Sequence, residues 1–247
     1  MNAMARLTYD RDATVAAVRD FYDFLTRIPR WSAGDFEDAP PGGWPELTDE
    51  YLSPLGKDAI VCDLLRHLPY LSPKESDESD GDKSMVAPET HVLDYNSRNT
   101  RWWFENKRET IDGIYSPIGA GIIPSHVAVI TSGSRYGSWL LIDTHDGRAT
   151  DFIQQERPEK SAPDQDSPDY WRAYRTLPVA AMLEEWKQKY SSLEWVVVPN
   201  NYDDGVMYYV NDESTDQVRA IYRQHGWPDS FRRQDCRQAL TEWYEAR

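Results

Sequence analysis

Apolar positions along the chain change their period twice. In DATVAAVRDFYDFLTRI, Val15, Val18, Phe21, Tyr22 and Leu25 recur at helical spacing, with Asp12 placed to cap the start and Pro29 to stop the end. KDAIVCDLLRHLP repeats the pattern, with Ile60, Val61, Leu64, Leu65 and Leu68 forming one face closed by Pro69. Between these two predicted helices, APPGGWPELT carries prolines, glycines and a tryptophan in the manner of a rigid, irregular loop.

Further on, the period shifts towards two. THVLDY, SHVAVIT, GSWLLIDT, GRATDFIQ and LEWVVVP are short, rich in Val, Ile, Trp and Thr, and bounded by Gly, Pro, Asp or Ser, as strands are. NTRWWFEN is read in the same way, which places Trp102 and Trp103 on opposite faces of a strand. Trp139, Leu141 and Asp143 alternate with Leu140, Ile142 and Thr144, so both faces of that segment are largely apolar and it is expected to be a central strand. The links between the central strands are too short for helical crossovers, which predicts antiparallel pairing.

Helical spacing returns in TLPVAAMLEEWKQKY, where Val179, Leu183, Trp186 and Tyr190 share a side. In STDQVRAIYRQHGWP, Ser214 and Gln217 have capping-box spacing, and Gly226 is expected just past the helix end. A last helix is predicted after Asp229, burying Phe231, Cys236, Leu240 and Trp243. The pattern predicts an α+β fold, a mostly antiparallel central sheet with helices segregated at the N- and C-terminal parts, forming one domain over residues 1–247. Two polar stretches interrupt it, a flexible acidic loop over 72–88 and a polar loop over 157–170.

Composition narrows the function classes. Ten Trp and fifteen Tyr indicate a folded core, while a net charge of −15 with no basic stripe disfavours nucleic acid and anionic membranes as partners. No apolar run approaches the roughly 20 residues of a membrane span, and the N-terminus lacks the apolar core of a secretory signal, so a cytoplasmic location is expected. Cys62 and Cys236 read as two reduced core thiols.

The five histidines are spread singly, without CxxC, HExxH or HxH, so the spacing predicts neither a metal nor a cofactor. GAG at 119–121 does not open a phosphate-binding helix. Ser138, Asp143 and His145 offer the residue types of a hydrolytic triad, but an extended strand would hold Ser138 and His145 about 23 Å apart. Thr144, His145, Asp146 and Gly147 are better explained as a hairpin turn.

HVAVITSGSRYGSWLLIDTHDGRATDFI, followed by WRAYRTLPVAAMLEEWKQKY, resembles the core of the SUKH superfamily of fungal cell-wall-assembly regulators and bacterial toxin-immunity proteins. Gly137, Trp139, Leu140, Leu141, Asp143 and Gly147 take the strand–turn–strand places, and Leu183, Glu184, Glu185 and Trp186 the helix, across about residues 126–190. GGWP, LLRHLPY and IYRQHGWP are also similar to stretches in fungal proteins of unassigned activity. The resemblance implies an α+β sheet that binds partner proteins, with no cofactor and no catalytic apparatus. The expected function is therefore a non-enzymatic protein-binding or regulatory module whose partner is another protein. Its expected contact residues are Trp102, Trp103, His126, Tyr136 and Trp139. The competing expectation is a small-molecule enzyme gathering His126, Tyr136 and Asp143, with His91, near strand ends. The oligomeric state is left open.

Overall fold

The computed structural model describes residues 8–72, 83–107, 115–117, 119–120, 122–159, 162–164, 166–199, 205–208 and 212–247. The fold is α+β, and every strand pairing among the described residues is antiparallel. Helix α1 (Arg11–Leu25) starts at Asp10, whose carboxylate accepts from the Ala13 N–H at 2.9 Å, two residues before the predicted cap at Asp12. A short α2 (Asp49–Leu52) precedes α3 (Ala59–His67). On α3 the buried stripe is Val61, Leu64, Leu65 and then Leu68. Ile60, expected on that stripe, is 51% exposed because it lies one position, about 100°, off it.

Strand β1 (Phe36–Glu37) pairs with β2 (Tyr70–Leu71). Strands β3 (Met85–Ala87), β4 (Thr90–Val92) and β6 (Thr131–Gly133) form a second sheet. The largest sheet runs β5 (Val127–Val129), β7 (Ser138–Asp143), β8 (Arg148–Ile153), β9 (Thr176–Pro178) in that order. β10 (Trp195–Val197) and β11 (Val206–Tyr208) pair separately.

β7 is the interior strand that its two apolar faces predict, with Leu140, Leu141 and Ile142 all fully buried. Burying each such side chain stabilises by roughly 1.5–3 kcal/mol. Val127 opposes Asp143 across β5 and β7, while Asp143 opposes Arg148 across β7 and β8, so three segments meet at the β7 exit. At the β7 entry the hairpin partner bends, and Thr131 Oγ1 accepts from the Leu140 N–H while donating to the Ser138 carbonyl.

Helix α5 (Val179–Ser191) lies against α1, with Trp186 meeting Phe21 edge-on at 5.7 Å and Trp195 at 5.6 Å. α6 (Glu213–Gln224) and α7 (Arg233–Glu245) complete the order. One buried cluster runs from Val18 on α1 through the sheets to Leu240 on α7, and it includes both cysteines as free thiols. The Trp44 indole donates to the Leu68 carbonyl at 2.8 Å, which pins the proline-rich loop to the end of α3.

Several local expectations are corrected. NTRWWFEN is helix α4 (Arg98–Asn106), not a strand: the Ser97 hydroxyl caps the Thr100 N–H, and Thr100 and Phe104 bury at helical spacing. That cap outweighs the strand preference of the aromatic residues. The end of the predicted acidic loop is the buried strand β3, while 73–82 lies outside the described residues. Asp212, not Ser214, caps α6 through the Thr215 N–H. α7 begins at Arg233, because the turn after Gly226 is closed by Ser230 N–H to Gly226 O and Arg232 N–H to His225 O, which leaves Asp229 inside that turn.

Gly137 is enclosed by backbone: a Cβ there would overlap the Glu89 carbonyl and stand 2.8 Å from the Gly133 Cα. Gly42 has open space. Gly137→Ala is expected to lower stability by about 1–3 kcal/mol in urea unfolding, with Gly42→Ala close to the parent protein.

Candidate functional site

The β7 exit gathers the polar side chains that the sequence separates. Asp143 ends the strand, and its carboxylate is 2% exposed. One oxygen accepts from the His145 N–H at 2.7 Å, an Asx turn that bends the chain, and Gly147 at φ +69° completes the reversal. The expected turn at Thr144–Gly147 is therefore observed. The other oxygen forms an ion pair with Arg172, whose guanidinium also meets Asp146 at 3.1 Å and lies 4.6 Å over the Trp171 ring. Trp171 and Arg172 come from a 3₁₀ turn (Tyr170–Arg172) that packs on β8.

His126 precedes β5, and the register places it beside Thr144. The Thr144 N–H and hydroxyl both donate to the His126 carbonyl, at 3.0 and 2.8 Å. Its imidazole then stacks on that of His145, with ring centroids 3.8 Å apart and planes 9° from parallel. His126 Nε2 is 3.8 Å from Asp143, too long for a hydrogen bond. Burial, then the neighbouring His145, lower the His126 pKa below its usual 6.5. A third segment arrives with Asp58, whose N–H donates to the Ser125 carbonyl at 2.9 Å. Asp58 stands at the N-cap of α3 without bonding the helix through its side chain, and its carboxylate lies within 4.8 Å of both imidazoles. The ligand-type atoms of Asp58, His126 and His145 all lie within 4.8 Å of one another.

Of the residues expected to share an enzyme site, His126 and Asp143 come together here. Tyr136 lies beyond the other end of β7, and His91 on β4 is hydrogen-bonded to Ser84 at 2.8 Å. The expected contact aromatics are divided among three elements. Trp102, 49% exposed, and the half-buried Trp103 meet edge-on at 5.2 Å on α4, Tyr136 is 53% exposed in the turn before β7, and Trp139 is half-buried on β7. Asp58, His145 and Arg172 were not singled out as site residues by the sequence. Nothing in their spacing links residue 58 to 126, 145 and 172: the strand register brings 126 beside 145, the Asp58–Ser125 bond brings in 58, and the ion pairs with Asp143 and Asp146 bring in 172.

A second feature lies across β10 and β11. A groove of about 960 Å³ runs between this ribbon, the Pro88–Glu89 turn, the start of α6 and the end of α7. Its walls include Val198, Val206, Met207, Val218 and Trp243, and Glu89, Asp212 and Glu213 bring carboxylates to it. Arg247 stacks 4.5 Å over the Trp243 ring and donates to the Ser214 hydroxyl. Tyr136 belongs to a turn that packs on one wall, where the Ser134 hydroxyl bonds the Glu89 carboxylate and the Ser134 N–H donates to the Glu89 carbonyl.

These features define an α+β protein with a polar cluster at one end of its central strand and an acidic, apolar-walled groove beside the Glu89 turn. Protein-family models, curated proteins and solved structures contain no match to the chain. No helix among the described residues is long and apolar enough to cross a membrane.

The lowered pKa of His126 has a definite sign. Its folded form gives up its proton more readily than the unfolded chain, so the unfolded state binds more protons below about pH 6.5 and stability falls as pH drops through that region. NMR titration is expected to place His126 below 6.5, and His126→Gln to flatten this part of the stability profile. A value above 6.5 would show that attraction to Asp143 and Asp58 outweighs burial.

Proposed function

We propose that the protein is a binding module that captures a basic, apolar-anchored segment of a partner protein in the groove between β10–β11 and helices α6 and α7. The observation that carries this reading is the pairing of apolar walls with carboxylates at Glu89, Asp212 and Glu213. Contiguous apolar surface with a polar rim is a common feature of protein contacts, here with three carboxylates against the guanidinium of Arg247, which is held on Trp243 and Ser214, and an extended or helical peptide binds such grooves through a few side-chain anchors. The charge of −15 over the whole chain favours a basic segment by long-range attraction.

The resemblance of residues 126–190 to SUKH proteins supports the same reading, since that superfamily works by binding proteins. Tyr136 extends the contact beyond the groove wall, as half-exposed tyrosines often do in interfaces. A cytoplasmic setting accords with two buried free thiols, which persist in reducing compartments. An enzyme uniting His126, Tyr136 and Asp143 is less well supported, because Tyr136 stands beyond the far end of the six-residue strand from His126 and Asp143.

Selection from a displayed library of random peptides tests the groove directly. The expected winners combine Lys or Arg with a large apolar residue and bind at micromolar concentration. Trp243→Ala or Glu213→Lys is expected to weaken them by about tenfold or more, with His145→Ala having no effect. Failure to enrich any peptide, or peptides indifferent to both groove substitutions, would overturn the proposal.

A further inference from the structure

Among the described residues, one group has the side-chain chemistry and convergence of a metal site: Asp58, His126 and His145. We infer that this trio binds a divalent cation of the zinc class at the β7 exit, a site separate from the peptide groove. Two imidazoles and one carboxylate suit borderline-soft divalent ions, whereas calcium and magnesium prefer sites made wholly of oxygen atoms.

Three observations support the assignment beyond proximity. First, each ligand is anchored through its backbone. Asp58 is tied to Ser125, the His126 carbonyl receives two bonds from Thr144, and the His145 N–H is bonded to Asp143. These bonds fix the backbone positions from which the three side chains converge and leave each side chain to turn about its own bonds onto an ion. Second, the local charge favours a cation: Asp58, Asp143 and Asp146 carry three carboxylates, against the guanidinium of Arg172 and the ammonium of Lys57, which bonds the Ile123 and Pro124 carbonyls. Asp143, 3.8 Å from His126 Nε2, is engaged by Arg172, as is Asp146, and Asp58 is the carboxylate within 4.8 Å of both imidazoles. Third, the Asp58 side chain makes no capping bond to α3, although it holds the N-cap position where aspartate ordinarily makes one.

Zinc bonds of about 2.0–2.1 Å place tetrahedral ligands roughly 3.3 Å apart, a separation that side-chain rotation can reach for ligand atoms lying within 4.8 Å of one another. The parallel rings must also splay, because each lone pair lies in its own ring plane. His145 is exposed on the hairpin turn and is free to rotate into place. Three protein ligands at a surface leave the fourth position open to water or an anionic ligand, as in zinc sites that act on substrates and unlike closed structural ones.

Isothermal titration of the full chain with Zn²⁺, alongside Co²⁺ absorption as a report on coordination geometry, decides the matter. The expected result at pH 7.5 is one ion per chain, undisturbed by millimolar Mg²⁺. Affinity should fall by about tenfold or more in His145→Ala and in Asp58→Asn, both surface changes whose folding is verified by circular dichroism. It should also fall at pH 5.5, since protons compete with the ion for its ligands. Binding that Mg²⁺ displaces, or that survives both substitutions unchanged, would assign the zinc to the general acidic surface and overturn the site. Absence of binding would overturn it equally.

Discussion

The ion pair between Asp143 and Arg172 is the interaction on which the β7 exit depends. A carboxylate 2% exposed at the end of an apolar strand is costly unless a charge and hydrogen bonds compensate it, and here Arg172 and the His145 N–H do both. Each partner has a further constraint. Arg172 is held against Trp171 and Asp146, and Asp143 is fixed by the strand register that sets Val127 and Arg148 opposite it. The pair therefore ties the 3₁₀ turn to the hairpin, and through the hairpin it orients His145 over His126. It adds to the reference that the two imidazoles already share through the Thr144 bonds to the His126 carbonyl.

The sheet then separates two kinds of surface. At the β7 exit the chain places polar groups with few degrees of freedom, which suits an ion or small ligand. Beyond the β7 entry, the 134–137 turn packs on the Glu89 turn, and the groove beside it has apolar walls and a carboxylate rim suited to a polypeptide. Only the first is built directly on the buried strand β7, whose Leu140, Leu141 and Ile142 carry no exposed area, while the groove is walled by β11, the Pro88–Glu89 turn, α6 and α7.

Much of this framework was legible in the residues. The apolar alternation of SWLLID, the THDG turn and the stripes of α1, α3 and α5 specify their elements because period and burial agree. NTRWWFEN misled because three aromatics raise strand preference, while the deciding signal was one serine cap at Ser97. MVA at 85–87 was hidden by the acidic residues before it, since three apolar residues are too few to show a period. Asp58, His145 and Arg172 were the least legible, because a cluster assembled from separate segments leaves no spacing pattern. Its local traces were His126 at the start of a strand and Asp143, a charged residue closing an otherwise apolar one.

A double-mutant cycle on Asp143→Asn and Arg172→Met, read by urea unfolding, tests the central interaction most directly. The account predicts a coupling of about 1 kcal/mol or more, with each single substitution destabilising and the double variant losing much less than their sum. Additive losses, agreeing to within about 0.3 kcal/mol, would contradict it and show that the β7 exit is organised by the backbone turn alone.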